Sequence, residues 1–207
     1  GVKLKDSIVE VDTINESTSG SGVTIDSVLL QDGNVDGVDV AALNTTVSGL
    51  TSNPAFTIID FWAMNGDRSG TGTVTSWTDV GNSSGRNNRG SSMSHSSGTF
   101  TFPETGYYLV ELWSRNDGTD NAEIHCDILG TTNNSSYGRI ARSSIKYNED
   151  FGGHRQMPYV STVFDVTSTS LCKIRFAYNG NFRTYNRVRG NGTLDETNAR
   201  FTKVGDT

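Results

Sequence analysis

Ser97-Gly-Thr-Phe-Thr-Phe-Pro-Glu-Thr-Gly-Tyr-Tyr-Leu-Val-Glu-Leu-Trp113 is the stretch whose reading decides the fold. Phe100 and Phe102 alternate with Thr99 and Thr101, which is the period of a strand with one buried face. Pro103-Glu-Thr-Gly106 supplies turn residues, and the apolar run that follows has no helical period. The stretch therefore reads as strand, tight turn, strand. In the second strand Tyr108, Val110 and Leu112 share one face, and Tyr107, Leu109, Glu111 and Trp113 share the other. Neither face has the composition of a solvated surface. The first is expected to close the subunit's own core. The second, large aromatics around one carboxylate, is expected to be buried against another subunit.

The pattern Gly98-Thr-Phe-Thr-Phe-Pro103 followed by Gly106-Tyr-Tyr-Leu-Val110 resembles the signature strand pair of the complement-globular-head and tumour-necrosis-factor superfamily. Arg200-Phe-Thr-Lys-Val-Gly-Asp206 resembles the closing strand of such jelly rolls in marine tailed-phage fibre and head-decoration proteins. The resemblance covers roughly Phe56 to the C-terminus. It implies an all-β, antiparallel jelly-roll sandwich that assembles as a homotrimer, and it implies no particular activity, because one fold hosts many functions.

Composition agrees with a β protein. Of 207 residues, 33% are hydrophobic and 19% charged, and 23 are glycine, which favours strands and turns over helices. So modest an apolar supply favours sharing a core between copies. The net charge of -6 argues against a nucleic-acid partner held by phosphate neutralisation. No apolar run is long enough for a transmembrane helix, and the N-terminal residues lack the apolar core of a signal peptide, so no membrane partner is expected.

From Phe56 onward, strands are predicted at about 56 to 64, 73 to 80, 91 to 95, 98 to 102, 106 to 113, 122 to 130, 137 to 142, 156 to 166, 170 to 178, 182 to 188 and 198 to 204. Asn82 to Ser92 reads as a polar loop. Cys126 shares a face with Ala122, Ile124 and Ile128, and Cys172 with Ile174, Phe176 and Tyr178, so both thiols are expected to point inward. Buried reduced thiols and a disulfide both remain open. The jelly-roll resemblance implies that the two cysteine-bearing strands are neighbours in one sheet, with α-carbons within about 7 Å if a bridge is to form.

Residues 1 to 37 have another texture. Val2, Leu4, Ile8, Val9 and Val11, then Val23, Ile25, Val28, Leu29 and Leu30, form short apolar strands separated by Gly and Ser, which suits an intertwined β-stem. Val40, Leu43, Val47 and Leu50 then recur at the a/d spacing of a coiled coil, with Asp36 or Asp39 as a cap and Gly49 near the end. Residues 38 to 52 are thus read as a short trimeric helical neck, the alternative being one amphipathic helix packed on its own subunit. Residues 53 to 207 form the jelly-roll head. Asp32-Gly-Asn-Val-Asp-Gly37 matches the first half of an EF-hand calcium loop but places Leu43 where the bidentate carboxylate belongs. Asp-Gly turns explain the same residues without metal. Asn116 to Asn121 is a second acidic segment, read as a hairpin loop. No cofactor and no metal is expected.

Enzyme chemistry is not expected either. His95, His125 and His154 lie on separate elements and read as surface residues, with no zinc-type histidine pair and no G-x-S-x-G elbow. Two other groups are candidates for recognition. Tyr147, Phe151 and His154 sit in a long segment from Ser143 to Met157, either as a receptor-binding tip or as cover for the end of the sandwich. Alternation places Arg183, Tyr185, Arg187 and Arg189 on one strand face, either to grip an anionic glycan or to form an intersubunit ion-pair row with Glu111 or another carboxylate. Stem, neck and trimeric head together predict a structural protein on the virion surface of a tailed phage, a head fibre, capsid decoration or tail fibre made in the host cytoplasm. Its stem would dock on a capsid or tail protein. A free glycan-binding attachment module and a carbohydrate-active enzyme are the alternatives, with a host surface glycan as a further partner.

Overall fold

The computed structural model describes residues 23–25, 28–31, 34–35, 38–52, 56–81, 88–118, 122–147, 154–193 and 196–207. The chain forms two compact units, Gly1–Pro54 and Ala55–Thr207. In the first, strands β1 (Val23–Ile25), β2 (Val28–Gln31), β3 (Asn34–Val35) and β4 (Val38–Asp39) pair antiparallel in chain order. Asn34, the third ligand position of the EF-hand reading, is a strand residue opposite Asp39, and Asp32, Gly33, Asp36 and Gly37 lie outside the described residues. Helix α1 (Val40–Ser52) follows. Asp39 caps it, its Oδ1 accepting the Ala42 N–H at 2.8 Å. Val40, Leu43 and Val47 are 44%, 52% and 49% exposed, so within the protomer the a/d face is uncovered. The side chain of Leu50 lies outside the described residues.

The second unit contains β5 (Ile59–Met64), β6 (Gly72–Thr73), β7 (Trp77–Asp79), β8 (Ser94–Ser96), β9 (Thr99–Thr101), β10 (Gly106–Trp113), β11 (Arg115–Gly118), β12 (Glu123–Thr131), β13 (Gly138–Lys146), β14 (His154–Gln156), β15 (Tyr159–Val166), β16 (Lys173–Asn181), β17 (Arg187–Arg189) and β18 (Asn198–Gly205). A five-stranded sheet of order β15-β10-β18-β5-β7 faces a second sheet of order β13-β12-β16-β9-β8, with β6 also paired to β16. This is an antiparallel jelly-roll sandwich, as expected. A three-stranded sheet, β14-β11-β17, forms from segments read partly as loop. The turn propensity of Asn116 and Asp117 favours a hairpin loop, but tertiary pairing on both sides makes them strand.

The deciding stretch is also not a hairpin. Strands β9 and β10 belong to different sheets, and the four residues between them cross the sandwich, so that the Phe102 and Tyr108 rings meet in a tilted pair, 4.7 Å between centroids. The hairpin lies one step earlier. Ser96 pairs with Thr99 around Ser97 and Gly98, whose φ angles of 46° and 84° make the primed turn that matches strand twist. A Cβ on Gly98 would lie 2.5 Å from the Val74 carbonyl oxygen.

Tyr108, Val110 and Leu112 are fully buried, as the alternation predicts. They meet an aromatic cluster centred on Phe100, whose ring lies 5.0 to 5.7 Å from those of Trp62, Trp77, Phe176 and Phe201. Cys126 and Cys172 are buried and free. Their strands are neighbours, as the resemblance implies, but Cys126 pairs with Tyr178 whereas Lys173, next to Cys172, pairs with Thr131. Cys126 thus sits inside the ladder and Cys172 just beyond its far end, ~20 Å apart at the rise of an extended strand, and the expected proximity is corrected. Burial pushes the Cys126 thiol up to about 11. Ellman's reagent is expected to react with neither thiol in the native protein and with both after denaturation; a protein without free thiols when unfolded would contradict this placement.

Asp60 projects into the core between Ile58 and Trp62. Its Oδ2 accepts Trp62 Nε1–H at 2.8 Å and Met93 N–H at 2.7 Å, while Oδ1 is buried without a partner among the described residues. Burial raises its pKa from 3.8 to about 6; the like charge of Asp79 adds to the rise and the two hydrogen bonds oppose it. The folded state thus binds this proton more tightly than the unfolded one. The stability it contributes is complete below about pH 4 and is lost as pH rises through about 6, by at most ~3 kcal/mol. Denaturant titrations at a series of pH values should show this loss in the wild type relative to Asp60→Asn; parallel profiles would refute it.

Candidate functional site

Two surfaces of the head remain once the core is accounted for. The first is the outer face of the five-stranded sheet. Cross-strand register sets Leu109 beside Val163 and Trp113 beside Tyr159, while on the other side Glu111 lies beside Arg200 and Arg200 beside Phe61. Tyr107, Tyr159 and Val163 are 41%, 45% and 59% exposed, and Leu109 and Trp113 are half-buried. Adjacent strands thus present an apolar and aromatic band, interrupted by Ser161 opposite Glu111 and by Asp165 opposite Tyr107.

Glu111 lies within that band and is nevertheless buried. Its Oε2 accepts Arg200 Nε–H at 2.5 Å and its Oε1 accepts the Tyr159 hydroxyl at 2.7 Å. The Arg200 guanidinium is also stacked 5.1 Å from the Trp113 ring centroid. Burial raises the Tyr159 pKa, and the carboxylate it serves raises it further, so the phenol stays a donor. Glu111 therefore has its partners inside the protomer, which corrects the expectation that it awaits an arginine of another subunit. Its charge was legible in the sequence, but Arg200 and Tyr159 lie 89 and 48 residues away.

The second surface is the three-stranded sheet at one end of the sandwich. Beneath it runs a buried polar chain: the Tyr178 hydroxyl donates to Ser114 Oγ, Ser114 Oγ donates to Asn116 Oδ1, and the Tyr147 hydroxyl donates to the Asn116 carbonyl, at 2.9 to 3.0 Å. Tyr147 is only 1% exposed, so of its two sequence readings the structure selects the packing role. Phe151 lies outside the described residues. His154 begins β14, and its side chain lies outside the described ones. On the outer face, Asp117 lies between Arg187 and Arg155 in register, and Arg189 Nε approaches its Oδ2 at 3.0 Å. Arg189 also bonds Asp67, and Arg115 bonds Glu196 at 2.5 Å. Arg183 and Tyr185 are not on this strand, because β17 begins only at Arg187 and they occupy the turn before it. The predicted stripe is thus divided between a turn and a strand, on which Arg189 pairs with carboxylates of the same chain.

The histidines are separate, as read, but not all are plain surface residues. His95 packs against Phe100 at 4.8 Å between centroids, its Nε2 accepts Gly98 N–H at 3.0 Å, and burial lowers its pKa. Nδ1 of His125 meets Ser144 Oγ at 2.7 Å. Among the described residues no group of three or more His, Cys, Asp or Glu side chains is placed to share a metal ion. No helix among them is long and apolar enough to cross a membrane.

No protein-family model matches this chain, and no curated protein matches it. Solved structures do. Murine APRIL in its crystal structure at pH 5.0 superposes with a TM-score of 0.50 at 16% identity, over 70% of this chain and 98% of that one. Eiger TNF from S. frugiperda gives 0.52 at 12% identity, over 74% and 96%. The likeness is one of fold: this chain contains a tumour-necrosis-factor-like jelly roll.

Proposed function

We propose that this chain is a homotrimeric, non-enzymatic structural protein displayed on the virion surface of a tailed phage, with the jelly roll presented outward and the N-terminal segment attached to a capsid or tail protein. The observation that carries the assembly part is the uncovered band of Tyr107, Leu109, Trp113, Tyr159 and Val163 on a sheet whose opposite face is already buried in the protomer's core. A largely apolar surface built from adjacent strands favours an interface between copies. Glu111 suits such a setting, because its charge is neutralised by Arg200 and its oxygens are satisfied before any second copy arrives. The exposed a/d residues Val40, Leu43 and Val47 of α1 favour the same stoichiometry, since a helix this short holds a coiled coil only when neighbouring parts of the assembly bring three copies together.

The phage assignment rests on the residues of Gly98 to Val110 and Arg200 to Asp206 and on the order of β-rich segment, helix and head. The N-terminal apolar strands are short, and strand edges of this kind can add to a sheet on the particle, with three copies raising the effective concentration.

Native mass spectrometry at micromolar concentration should give a mass three times the chain's 22.4 kDa. Val163→Asp, which puts an unpaired carboxylate in the band, should shift the protein to monomer while leaving the head's β signature in circular dichroism intact. A wild-type monomer would overturn the trimer. For attachment, a truncation starting near Asp36 is mixed with particles that lack the native protein. It should fold and trimerise but fail to decorate them, and decoration equal to that of the full chain would show that the head, not the N-terminal segment, does the docking.

A further inference from the structure

The segment from Phe182 to Arg189 carries a second surface property, independent of assembly. Arg183 to Asn186 forms a tight turn closed in both directions: the Arg183 N–H donates to Asn186 Oδ1 and the Asn186 N–H donates to the Arg183 carbonyl, each at 3.0 Å. Asn186 is fully buried, so the turn is anchored from below by a side chain that cannot swing into solvent. At its tip stands Tyr185, 67% exposed, more than any other large hydrophobic side chain among the described residues. An aromatic ring held out on so rigid a support is not there to pack the core.

Charge collects beside it. Across the three-stranded sheet Arg187, Asp117 and Arg155 form one row. The Asp117 carboxylate is engaged by Arg189 at 3.0 Å, and Arg155 Nε lies 3.6 Å from it, beyond hydrogen-bond reach. The Arg155 side chain is 63% exposed. Arg183 and Arg187 form no ion pair among the described residues. Among the described residues this corner therefore presents guanidinium groups in excess of carboxylates, on a chain whose net charge is -6. Arginines that serve only solubility would be dispersed and matched.

We propose that the turn bearing Tyr185, with Arg183, Arg187 and Arg155, is a binding site for an acidic polysaccharide. The Tyr185 ring provides a flat apolar face for the C–H surface of a sugar ring, and its hydroxyl can bond a sugar hydroxyl. The guanidinium groups pair with carboxylates or sulfates along the chain, whose planar or forked oxygens suit arginine better than lysine. Because the turn is already closed by its own hydrogen bonds, little ordering cost opposes binding. Nucleic acid fits less well, since a phosphate-tracking surface needs a longer basic stripe than this corner offers.

Affinity electrophoresis of the full-length protein in native gels containing alginate, dextran sulfate or neutral dextran tests this. Alginate, dextran sulfate or both should retard the protein, identifying carboxylate or sulfate as the recognised group, and neutral dextran should not. Tyr185→Ala and Arg187→Gln should each weaken the apparent affinity by about tenfold, the scale of one good charge-assisted or stacking contact. Arg139→Gln, on the distant edge strand β13, should leave it unchanged. Thermal melts and native mass of the variants should match the wild type, which separates loss of the site from loss of fold or of assembly. Retardation no greater than in neutral dextran, wild-type binding by both variants, or competition by duplex DNA as effective as by the polysaccharide would overturn the proposal. A monomeric wild type that still binds would leave this site standing while removing the trimer.

Discussion

The contact on which the head depends is the meeting of Phe100, Phe176 and Phe201 in the middle of the sandwich. Phe201 belongs to the five-stranded sheet, Phe100 and Phe176 to the sheet opposite, and their centroids lie 5.0 to 5.9 Å apart in tilted and edge-on pairs. Each such pair contributes on the order of 1 kcal/mol beyond its buried area. Trp62, Trp77 and Tyr108 extend the cluster along the interior. In a chain with only 33% hydrophobic residues, concentrating the large rings between two sheets makes one continuous core possible. It also decides which faces are left over.

Three buried carboxylates show how differently the same group can be accommodated. Asp127, under the outer surface of its sheet, receives Arg142 through two bonds at 2.6 and 2.7 Å and Asn179 at 2.6 Å. Despite burial its pKa is lowered by these partners. Glu111 is neutralised by Arg200 and Tyr159 at the base of an apolar band. Asp60 faces the core with no cation and with one oxygen unpartnered. The first two each face a guanidinium, whereas the third is held by two neutral donors and is the least well accommodated of the three.

The leftover faces are where function enters. A sheet with one face in the core and the other carrying Tyr107, Tyr159 and Val163 is complete as a fold and incomplete as a surface. The arginine-rich corner is the opposite case, a polar surface on which the described carboxylates pair with only some of the arginines. These two surfaces are built from different strands, β10 and β15 for the band and β11, β14 and β17 for the corner, so one can be covered by copies of the chain while the other meets a ligand.

What the sequence determined by itself was whatever depends on local period and turn chemistry. Alternation along Tyr107 to Trp113 separates the two faces of β10 correctly, Asp39 precedes the helix it caps, and the regular spacing of short strands specifies a sandwich. Only the tertiary structure decided which strands are neighbours. Pro103 to Gly106 is turn-like in either case, but it crosses between sheets because Phe100 and Phe102 must face Phe201 and Tyr108 from the other side of the core. The same holds for Asn116 and Asp117, strand residues made so by partners on both edges, and for Tyr147, whose hydroxyl finds the Asn116 carbonyl 31 residues away. Side-chain alternation is a property of one strand and can be read from a few residues. Pairing, burial of a charge and the division of Arg183 to Arg189 into turn and strand depend on contacts between residues far apart in the chain, which no local pattern records.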